Sequence, residues 1–274
     1  MTRDLHGRRI LITGASSGIG KALAQQLAFL GAKLVLAARS EDKLKAVAAS
    51  LPSPSGRGAG GEGAHLVVTA DITKETDRQR VLAQAVEYFG GLDVLINNAG
   101  IASWAHFADS TEAILRQIME VNFFAPAELI RKAIPILVNG TEPAVVNVSS
   151  MCGRRAMPAW SEYSASKYAL CGLTEALRGE LARFDIDILL IVPGLTSSEF
   201  SQHFLKSEGK AQIEYDKGMP PETVAAAIVK ALKKNKTETW IGRDTQWMLR
   251  VNRWLPRLVD YLLARKVRKL YEGV

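Results

Sequence analysis

Short β-branched and aliphatic runs alternate with longer segments of helical periodicity along most of the chain. This alternation is typical of repeated βαβ units, whose parallel strands share one sheet with helices on both faces. The runs predict seven strands, at Ile10–Thr13, Leu34–Ala37, Leu66–Thr69, Val94–Asn97, Val145–Val148, Ile188–Val192 and Thr239–Ile241. The segments between them predict helices at Gly18–Leu30, Glu41–Ala49, Lys74–Phe89, Thr111–Leu137, Ser161–Phe184 and Pro221–Lys233. We therefore expect an α/β fold with a doubly wound parallel sheet of about seven strands.

The segment from Leu51 to Gly63 is crowded with Gly, Pro and Ser. Because it falls between a predicted helix and the next predicted strand, we expect a mobile surface loop rather than a linker between domains. No shift in composition divides the chain further. Residues 1–242 are therefore predicted to form one domain, followed by a C-terminal extension over residues 243–274.

This extension carries most of the net charge of the protein. It holds eight Lys or Arg against three acidic residues, a net +5 of the +7 of the whole chain. An apolar stripe at helical spacing runs through it, and Pro256 should kink or restart the helix. Such a basic amphipathic segment can cap a substrate cleft, pack on a partner subunit or lie on an anionic membrane surface. Nucleic acid is not expected as a partner, because no recognition fold accompanies the charge.

Cysteine and histidine usage favours a metal-free protein of a reducing compartment. Cys152 and Cys171 match no paired ligand spacing, and the four histidines are scattered without a carboxylate cluster. The polar first ten residues show no secretory pattern, and no uncharged apolar run is long enough to span a bilayer. We expect a cytoplasmic protein, with peripheral membrane contact through the C-terminal extension left open.

A glycine-rich loop follows the first predicted strand and opens the first helix. Glycines there allow a tight turn and a close backbone approach, and a helix N-terminus attracts a diphosphate. Two serines add hydroxyl donors. The loop predicts dinucleotide binding by a Rossmann-like fold, through Gly14, Ser16, Ser17, Gly18, Ile19 and Gly20.

The end of the second predicted strand indicates which dinucleotide is preferred. An acidic residue at this place would bind the 2′-hydroxyl of NAD, whereas arginine pairs with the 2′-phosphate of NADP. The sequence has Arg39, and the next acid is Glu41. NADP(H) is therefore predicted in preference to NAD(H).

Four motifs in fixed order resemble the short-chain dehydrogenase/reductase family: TGASSGIG from Thr13, NNAG from Asn97, Ser150, and YSASK from Tyr163. The resemblance runs from about residue 8 to about residue 240. It implies a catalytic tetrad of Asn122, Ser150, Tyr163 and Lys167. In the family the tyrosine hydroxyl exchanges the proton, the serine polarises the carbonyl, the lysine lowers the tyrosine pKa and holds the nicotinamide ribose, and the asparagine supports a water relay.

The resemblance also implies further cofactor contacts at the ends of predicted strands. An adenine contact is implied after the third strand, and the family's nicotinamide ribose contacts fall on the catalytic tyrosine and lysine. These positions are Asp71, Ile72, Asn98, Ala99, Gly100, Tyr163, Lys167, Pro193, Gly194 and Thr196. The carboxyl ends of strands are where open α/β sheets bind ligands.

Elementary chemistry agrees with the tyrosine and lysine roles. Hydride transfer to a carbonyl leaves an alkoxide that needs a positioned acid. Tyr163 and Lys167 are four residues apart, so on a helix they share one face, and a nearby ammonium favours the phenolate. The predicted activity is that of an NADP(H)-dependent carbonyl reductase or alcohol dehydrogenase. Its substrate is expected to be a small-molecule, hydrophobic carbonyl or alcohol, with Tyr163 as general acid/base.

Two other classes of function stay open at this point. One is a catalytically silent NADP-binding regulator or scaffold. The other is a membrane-associated interaction protein that works through the basic C-terminal helix. A homodimer or homotetramer is implied by the family resemblance. The segment from Ser197 to Gly218, which covers the substrate in the family, carries no decipherable specificity code.

Overall fold

In a computed structural model, which describes residues 2–53, 65–210 and 217–272, seven parallel strands form one sheet. The strands are β1 (Arg9–Thr13), β2 (Lys33–Ala38), β3 (Leu66–Thr69), β4 (Val94–Asn97), β5 (Ala144–Val148), β6 (Asp187–Pro193) and β7 (Glu238–Ile241). Each boundary lies within one residue of its prediction. The predicted doubly wound α/β fold is confirmed.

The order of the strands places a crevice at the centre of the sheet. The order is β3-β2-β1-β4-β5-β6-β7, so the chain runs outward from β1 to β3 and then returns to the other side of β1. The two directions diverge between β1 and β4, whose register pairs Ile10 with Val94 and Ile12 with Ile96. Ligands of open α/β sheets bind at such a switch point.

Helices cover both faces of the sheet. They are α1 (Gly18–Phe29), α2 (Glu41–Ala49), α3 (Glu75–Phe89), α4 (Glu112–Met119), α5 (Ala125–Leu137), α6 (Ser161–Glu180), α7 (Pro221–Lys233), α8 (Arg243–Trp254) and α9 (Pro256–Tyr271). Helix α9 begins at Pro256, where the proline predicted a restart. The predicted mobile loop lies largely outside the described residues, because residues 54–64 are not among them.

Two hydrophobic cores hold the layers together. In β1, Ile10 and Ile12 join the core under α1, α2 and α7, while Leu11 between them joins the core under α3 and α5. Successive side chains of a strand point to opposite faces, so a strand buried on both faces must be apolar at every position. This explains the continuous aliphatic runs from which the strands were predicted.

The single helix predicted over Thr111–Leu137 is wrong in one respect. A π turn at Glu120–Phe124 separates α4 from α5. The physical reason lies in Pro126, whose ring would clash with the carbonyl of residue 122 in an uninterrupted α-helix and which has no N–H to donate to it. The turn brings Asn122 into the interior, and such turns occur often at functional sites.

No helix within the described ranges is long and apolar enough to cross a membrane.

Candidate active site

A cavity of about 910 Å³ opens over the carboxyl ends of the strands at the switch point. Most of the predicted site residues line it together, although they come from distant parts of the sequence. Those that line it are Gly14, Ser16, Ser17, Gly18, Ile19, Arg39, Asp71, Ile72, Asn98, Ala99, Gly100, Ser150, Tyr163, Lys167, Pro193, Gly194 and Thr196. The two that do not are Gly20 and Asn122, which lie behind its wall.

The glycine loop is shaped by positions where a side chain cannot fit. Gly14 has a φ of +66°, and a Cβ there would lie 2.8 Å from the Cα of Ala99. A Cβ at Gly20 would lie 2.1 Å from the carbonyl oxygen of Gly14. The loop is thus pressed against the segment after β4, and Gly20 serves this close packing rather than ligand contact.

Hydrogen bonds tie the same two segments together. The Asn98 side chain donates to the carbonyl oxygens of Thr13 at 3.0 Å and Gly14 at 3.2 Å. The Thr13 hydroxyl oxygen accepts from the backbone N–H of Asn98 at 3.0 Å and of Ala99 at 3.1 Å. Asn98 therefore fixes the floor of the crevice.

The first helix points its N-terminus at this crevice. Ser17 is the N-cap of α1, and among the described residues its hydroxyl makes no capping hydrogen bond. The first N–H groups of the helix and the Ser17 hydroxyl are therefore free donors beside a positive helix dipole. Together with the crowded Gly14, this cradle fits the diphosphate of a dinucleotide.

Two cations line the cavity where the adenosine end of a dinucleotide would lie. Arg39 is exposed, and Lys43, one helical turn further on, pairs with Glu199 at 2.8 Å. Glu41 pairs with Lys45 at 2.6 Å on the surface and does not line the cavity. Sequence reasoning missed Lys43, although its place in the first turn of the helix predicted to follow β2 was a usable signal.

Asp71 lines the cavity from the end of β3. Its carboxylate accepts from the Thr73 hydroxyl at 2.8 Å and from the Thr73 N–H at 3.1 Å. The N-cap of α3 is Lys74, so Asp71 does not cap that helix.

Ser150 is held by the turn that it begins. Its hydroxyl oxygen accepts from the N–H of Cys152 at 3.1 Å and caps the 3₁₀ turn Met151–Gly153. Accepting this bond leaves the hydroxyl hydrogen able to donate into the cavity. That geometry suits a group that polarises a carbonyl oxygen.

Tyr163 lies in an aromatic pocket at the N-terminal end of α6. Its ring centroid is 5.5 Å from that of Trp160 and 5.9 Å from that of Phe200. The family resemblance predicts that Lys167 lowers the pKa of this phenol. Burial instead raises the pKa of Tyr163 above its usual value, and the hydrogen bond with the Ser150 hydroxyl opposes this rise only in part. The reason is that desolvation disfavours the phenolate more than its neighbours stabilise it.

Lys167 is buried one turn further along α6. Its ammonium donates to the carbonyl oxygen of Val148 at 3.0 Å and lies 5.8 Å from the centroid of the Tyr163 ring. Burial lowers the pKa of Lys167 to about 8. Two of its three donors stay available to a ligand in the cavity that it lines.

Asn122 is buried in the π turn and joins three segments. Its side chain accepts from the Ile101 N–H at 2.9 Å and donates to the Ile101 carbonyl oxygen at 2.8 Å and the Ser166 hydroxyl at 3.0 Å. Ser166 in turn donates to the Tyr163 carbonyl oxygen at 2.8 Å. Asn122 thus braces the tyrosine helix against the loop after β4.

The walls beside Tyr163 are largely apolar. Helix α9 contributes to them, which agrees with one of the three roles left open for the C-terminal extension, that of capping a substrate cleft. The apolar lining includes Trp104, Met151, Cys152, Met157, Trp160, Phe200, Leu263, Val267 and Leu270. Burial raises the pKa of the Cys152 thiol to about 11, which makes it a poor nucleophile.

A dinucleotide cradle at the switch point, with a buried Tyr–Lys pair and a serine donor beside it, defines a nucleotide-dependent oxidoreductase of the α/β class. The family profile described as "short chain dehydrogenase" matches residues 8–209. The protein belongs to the short chain dehydrogenase family.

Two curated relatives support this membership. The chain is 33% identical over 267 residues to "Uncharacterized oxidoreductase YxnA" of Bacillus subtilis (strain 168), covering 96% of this chain and 73% of the relative. It is 31% identical over 263 residues to "Ketoacyl reductase HetN" of Nostoc sp., covering 93% of this chain and 88% of the relative.

Solved structures share the fold. A short chain dehydrogenase/reductase of Burkholderia phymatum in complex with NAD superposes with a TM-score of 0.82 at 24% identity, covering 93% and 96% of the two chains. A 3-ketoacyl-(acyl-carrier-protein) reductase of Brucella melitensis complexed with NADH gives 0.76 at 27% identity, covering 86% and 97%.

Proposed function

We propose that the protein is an NADP(H)-dependent carbonyl reductase that uses Tyr163 as its general acid. The observation that carries the proposal is the pair of Tyr163 and Ser150, which line the same cavity as Lys167. When bound, the nicotinamide supplies and accepts the hydride. The chain's own residues bind the carbonyl, polarise it and move the proton.

The proton transfer follows from the placement of the donors. Ser150 donates its hydroxyl hydrogen to the carbonyl oxygen, and Tyr163 delivers its phenolic proton to the same oxygen as negative charge develops there. The phenol of Tyr163 is protonated at neutral pH, so it has a proton to donate as charge develops on the substrate oxygen. Lys167 stabilises the phenolate left behind and offers donors to the ribose hydroxyls.

NADP(H) is preferred in this proposal because two cations, Arg39 and Lys43, reach the adenosine end. The 2′-phosphate would accept hydrogen bonds from both, whereas NAD(H) would leave Arg39 facing a neutral hydroxyl. The acid that follows, Glu41, is turned to Lys45. Among the family structures that superpose, both NAD- and NADP-bound forms occur, so the preference rests on these residues.

The substrate is proposed to be a hydrophobic carbonyl compound or the corresponding alcohol. The aromatic rings of Trp160, Phe200 and Phe204 form edge contacts beside Tyr163, and Leu263 and Leu270 line the same cavity as Trp160 and Phe200. Such a wall desolvates an apolar group next to the reacting oxygen. We further propose a homodimer or homotetramer in the cytoplasm. Phe124, at the end of the π turn before α5, and Tyr168 on α6 are exposed and would be covered by a partner.

Steady-state turnover tests the reaction and the cofactor together. NADPH and NADH are each offered with a panel of small, aromatic and long-chain carbonyls, and oxidation of the nucleotide is followed. The proposal expects turnover of at least one apolar carbonyl with a higher kcat/KM for NADPH. Tight binding of NADPH with no turnover across the panel would support a nucleotide-binding regulator instead.

A further inference from the structure

The C-terminal helices α8 and α9 expose an unusual share of the large apolar side chains. Seven of the fifteen exposed large hydrophobic residues in the described ranges fall in them or in the residue between them. They are Trp247, Trp254, Leu255, Leu258, Tyr261, Leu262 and Leu270. Trp254 is 79% exposed, Trp247 64% and Tyr261 59%, so these rings are not covered by the rest of the chain.

Helix α9 is apolar on two faces, and only one of them is used by the fold. Val259 is buried, and Leu263 and Leu270 line the cavity on the same side. Leu258, Tyr261 and Leu262 lie on the other side, because at 100° per residue they fall within about 100° of one another and away from Leu263. The outward face therefore has no role in closing the site.

Cations flank these exposed rings and leucines. Over the part of the chain that the structure describes, none of these cations forms an ion pair. The neighbouring acid, Asp260, forms its ion pair with Arg155 at 2.6 Å. These unpaired cations are Arg250, Arg253, Arg257, Arg265, Arg268 and Lys269. We call the exposed apolar residues Trp254, Leu255, Leu258, Tyr261 and Leu262, with these six cations, the basic aromatic surface.

The charges and aromatic rings of the basic aromatic surface indicate what kind of partner it can bind. A second copy of the chain would bring the six cations against six more, and like charges across an interface cost several kcal/mol. Tryptophan and tyrosine prefer the boundary between headgroups and acyl chains, and arginine binds phosphate while its stem stays in apolar surroundings. An anionic lipid surface satisfies both the rings and the charges.

We propose that the basic aromatic surface docks the protein on an anionic membrane. Trp254, Leu258 and Tyr261 enter the headgroup boundary, and the arginines bind lipid phosphates and carboxylates. This is surface attachment by an amphipathic helix pair, not a membrane span. The opposite face of α9 lines the cavity, so an apolar substrate dissolved in the bilayer would reach the site close to where the protein is attached. This consequence alone rests on the proposed function.

Vesicle flotation tests the proposal with the full chain. Vesicles of pure phosphatidylcholine are compared with vesicles that contain about 30% phosphatidylserine, at low and at high salt. We expect the wild type to float with the anionic vesicles, weakly with the neutral ones, and less at high salt. Arg253→Gln with Arg257→Gln should weaken the partition by about twenty-fivefold, at about fivefold for each arginine.

Paired variants separate the apolar and the electrostatic parts. Trp254→Ser with Leu258→Ser should reduce binding to anionic vesicles at high salt as well, since the apolar part is not screened. Matched controls are Phe29→Ser, an aromatic ring 85% exposed elsewhere, and Lys234→Gln with Lys236→Gln, exposed cations elsewhere. Both controls should float as the wild type does, and NADPH binding should be unchanged in every variant.

Three results would overturn the proposal. The wild type fails to float with anionic vesicles; or it floats equally with neutral ones and at all salt concentrations; or the surface variants float as well as the controls. A wild type that stays in solution as a dimer, and that Trp254→Ser makes monomeric, would show instead that a second copy covers this surface. Flotation is read without turnover, so an inactive protein that floats contradicts the proposed function and not the docking.

Discussion

The ammonium of Lys167 lies 5.8 Å from the centroid of the Tyr163 ring, and both side chains are buried on one face of α6. Burial moves their pKa values in opposite directions, raising that of Tyr163 and lowering that of Lys167 to about 8. Each shift favours the uncharged form of its group. At neutral pH the site therefore holds a protonated phenol ready to donate.

This relationship predicts how the two directions of reaction depend on pH. Oxidation of an alcohol needs the phenolate, whose fraction grows about tenfold per pH unit below the raised pKa of Tyr163. Reduction needs the protonated phenol, which is already present at neutrality. We expect kcat/KM for oxidation to rise from pH 6 towards pH 8 and that for reduction not to rise. Above pH 8, loss of the Lys167 proton should bend both profiles.

Lys167→Arg supplies the matched comparison for the bend, because guanidinium does not titrate in this range. Profiles measured with the variant should continue past pH 8 without the bend, at a lower absolute rate. An oxidation rate that is flat with pH in the wild type would contradict the assignment of Tyr163 as the group that loses the proton.

The glycine loop makes a sharp prediction about nucleotide binding. Gly14→Ala places a Cβ 2.8 Å from the Ala99 Cα at a φ of +66°, so the loop must shift away from the segment after β4. We expect a loss of NADPH affinity of at least about tenfold, together with a lower melting temperature. Isothermal titration and thermal unfolding measure the two effects.

Gly172→Ala is the control for that substitution. It lies inside α6, and within the described residues a Cβ there would meet no atom within 4 Å. Replacing a mid-helix glycine by alanine stabilises by up to about 1 kcal/mol, so this variant should bind NADPH normally and unfold slightly later. Equal affinity of the two variants would refute the close packing at Gly14.

Cofactor preference should follow charge at the end of β2. Arg39→Asp places a carboxylate where the 2′-phosphate is proposed to lie, so the ratio of kcat/KM for NADPH over NADH should fall by at least about a hundredfold. Lys43→Gln should lower the same ratio less, because Lys43 is shared with Glu199. Arg116→Gln, on the exposed surface of α4 outside the cavity, should leave it unchanged. A ratio unaffected by Arg39→Asp would contradict the NADP(H) preference.

Asn122 is predicted to act by positioning. Asn122→Ala leaves the backbone N–H and carbonyl of Ile101 without their side-chain partner and removes one of the two partners of the Ser166 hydroxyl, which costs about 1–3 kcal/mol of the free energy of unfolding. The exposed Asn139, whose side chain donates to the carbonyl oxygen of Pro135, provides the comparison, and Asn139→Ala should cost much less. Chemical denaturation measures both; similar losses would show that Asn122 does not brace the site.

The alternation of strands and helices could be read from the sequence because it depends on local periodicity and burial. The strand ends then placed Gly14, Asn98 and Thr196 at one edge of the sheet, without knowledge of tertiary contacts. The contribution of Leu263 and Leu270 to the cavity could not be predicted in this way. An amphipathic pattern shows that a helix has an apolar face, but not which surface that face contacts, and α9 has two such faces.

The effect of burial on the pKa of Tyr163 also could not be predicted from the sequence. The spacing of Tyr163 and Lys167 indicated a shared helix face, yet the pKa depends on how far both groups are removed from water. Trp160 and Phe200, which surround the phenol, are close to it only in the folded chain. The π turn at Asn122 was missed, although Pro126, which interrupts the helix, was a usable signal in the sequence.

The central claim is tested most directly by comparing the wild type with Tyr163→Phe in both NADPH binding and carbonyl turnover. The substitution removes only the phenolic hydroxyl and keeps the ring in its aromatic pocket. The account predicts unchanged affinity for NADPH and a loss of at least about a hundredfold in kcat/KM, the size of a general acid's contribution. Turnover retained within about twofold of the wild type would contradict it.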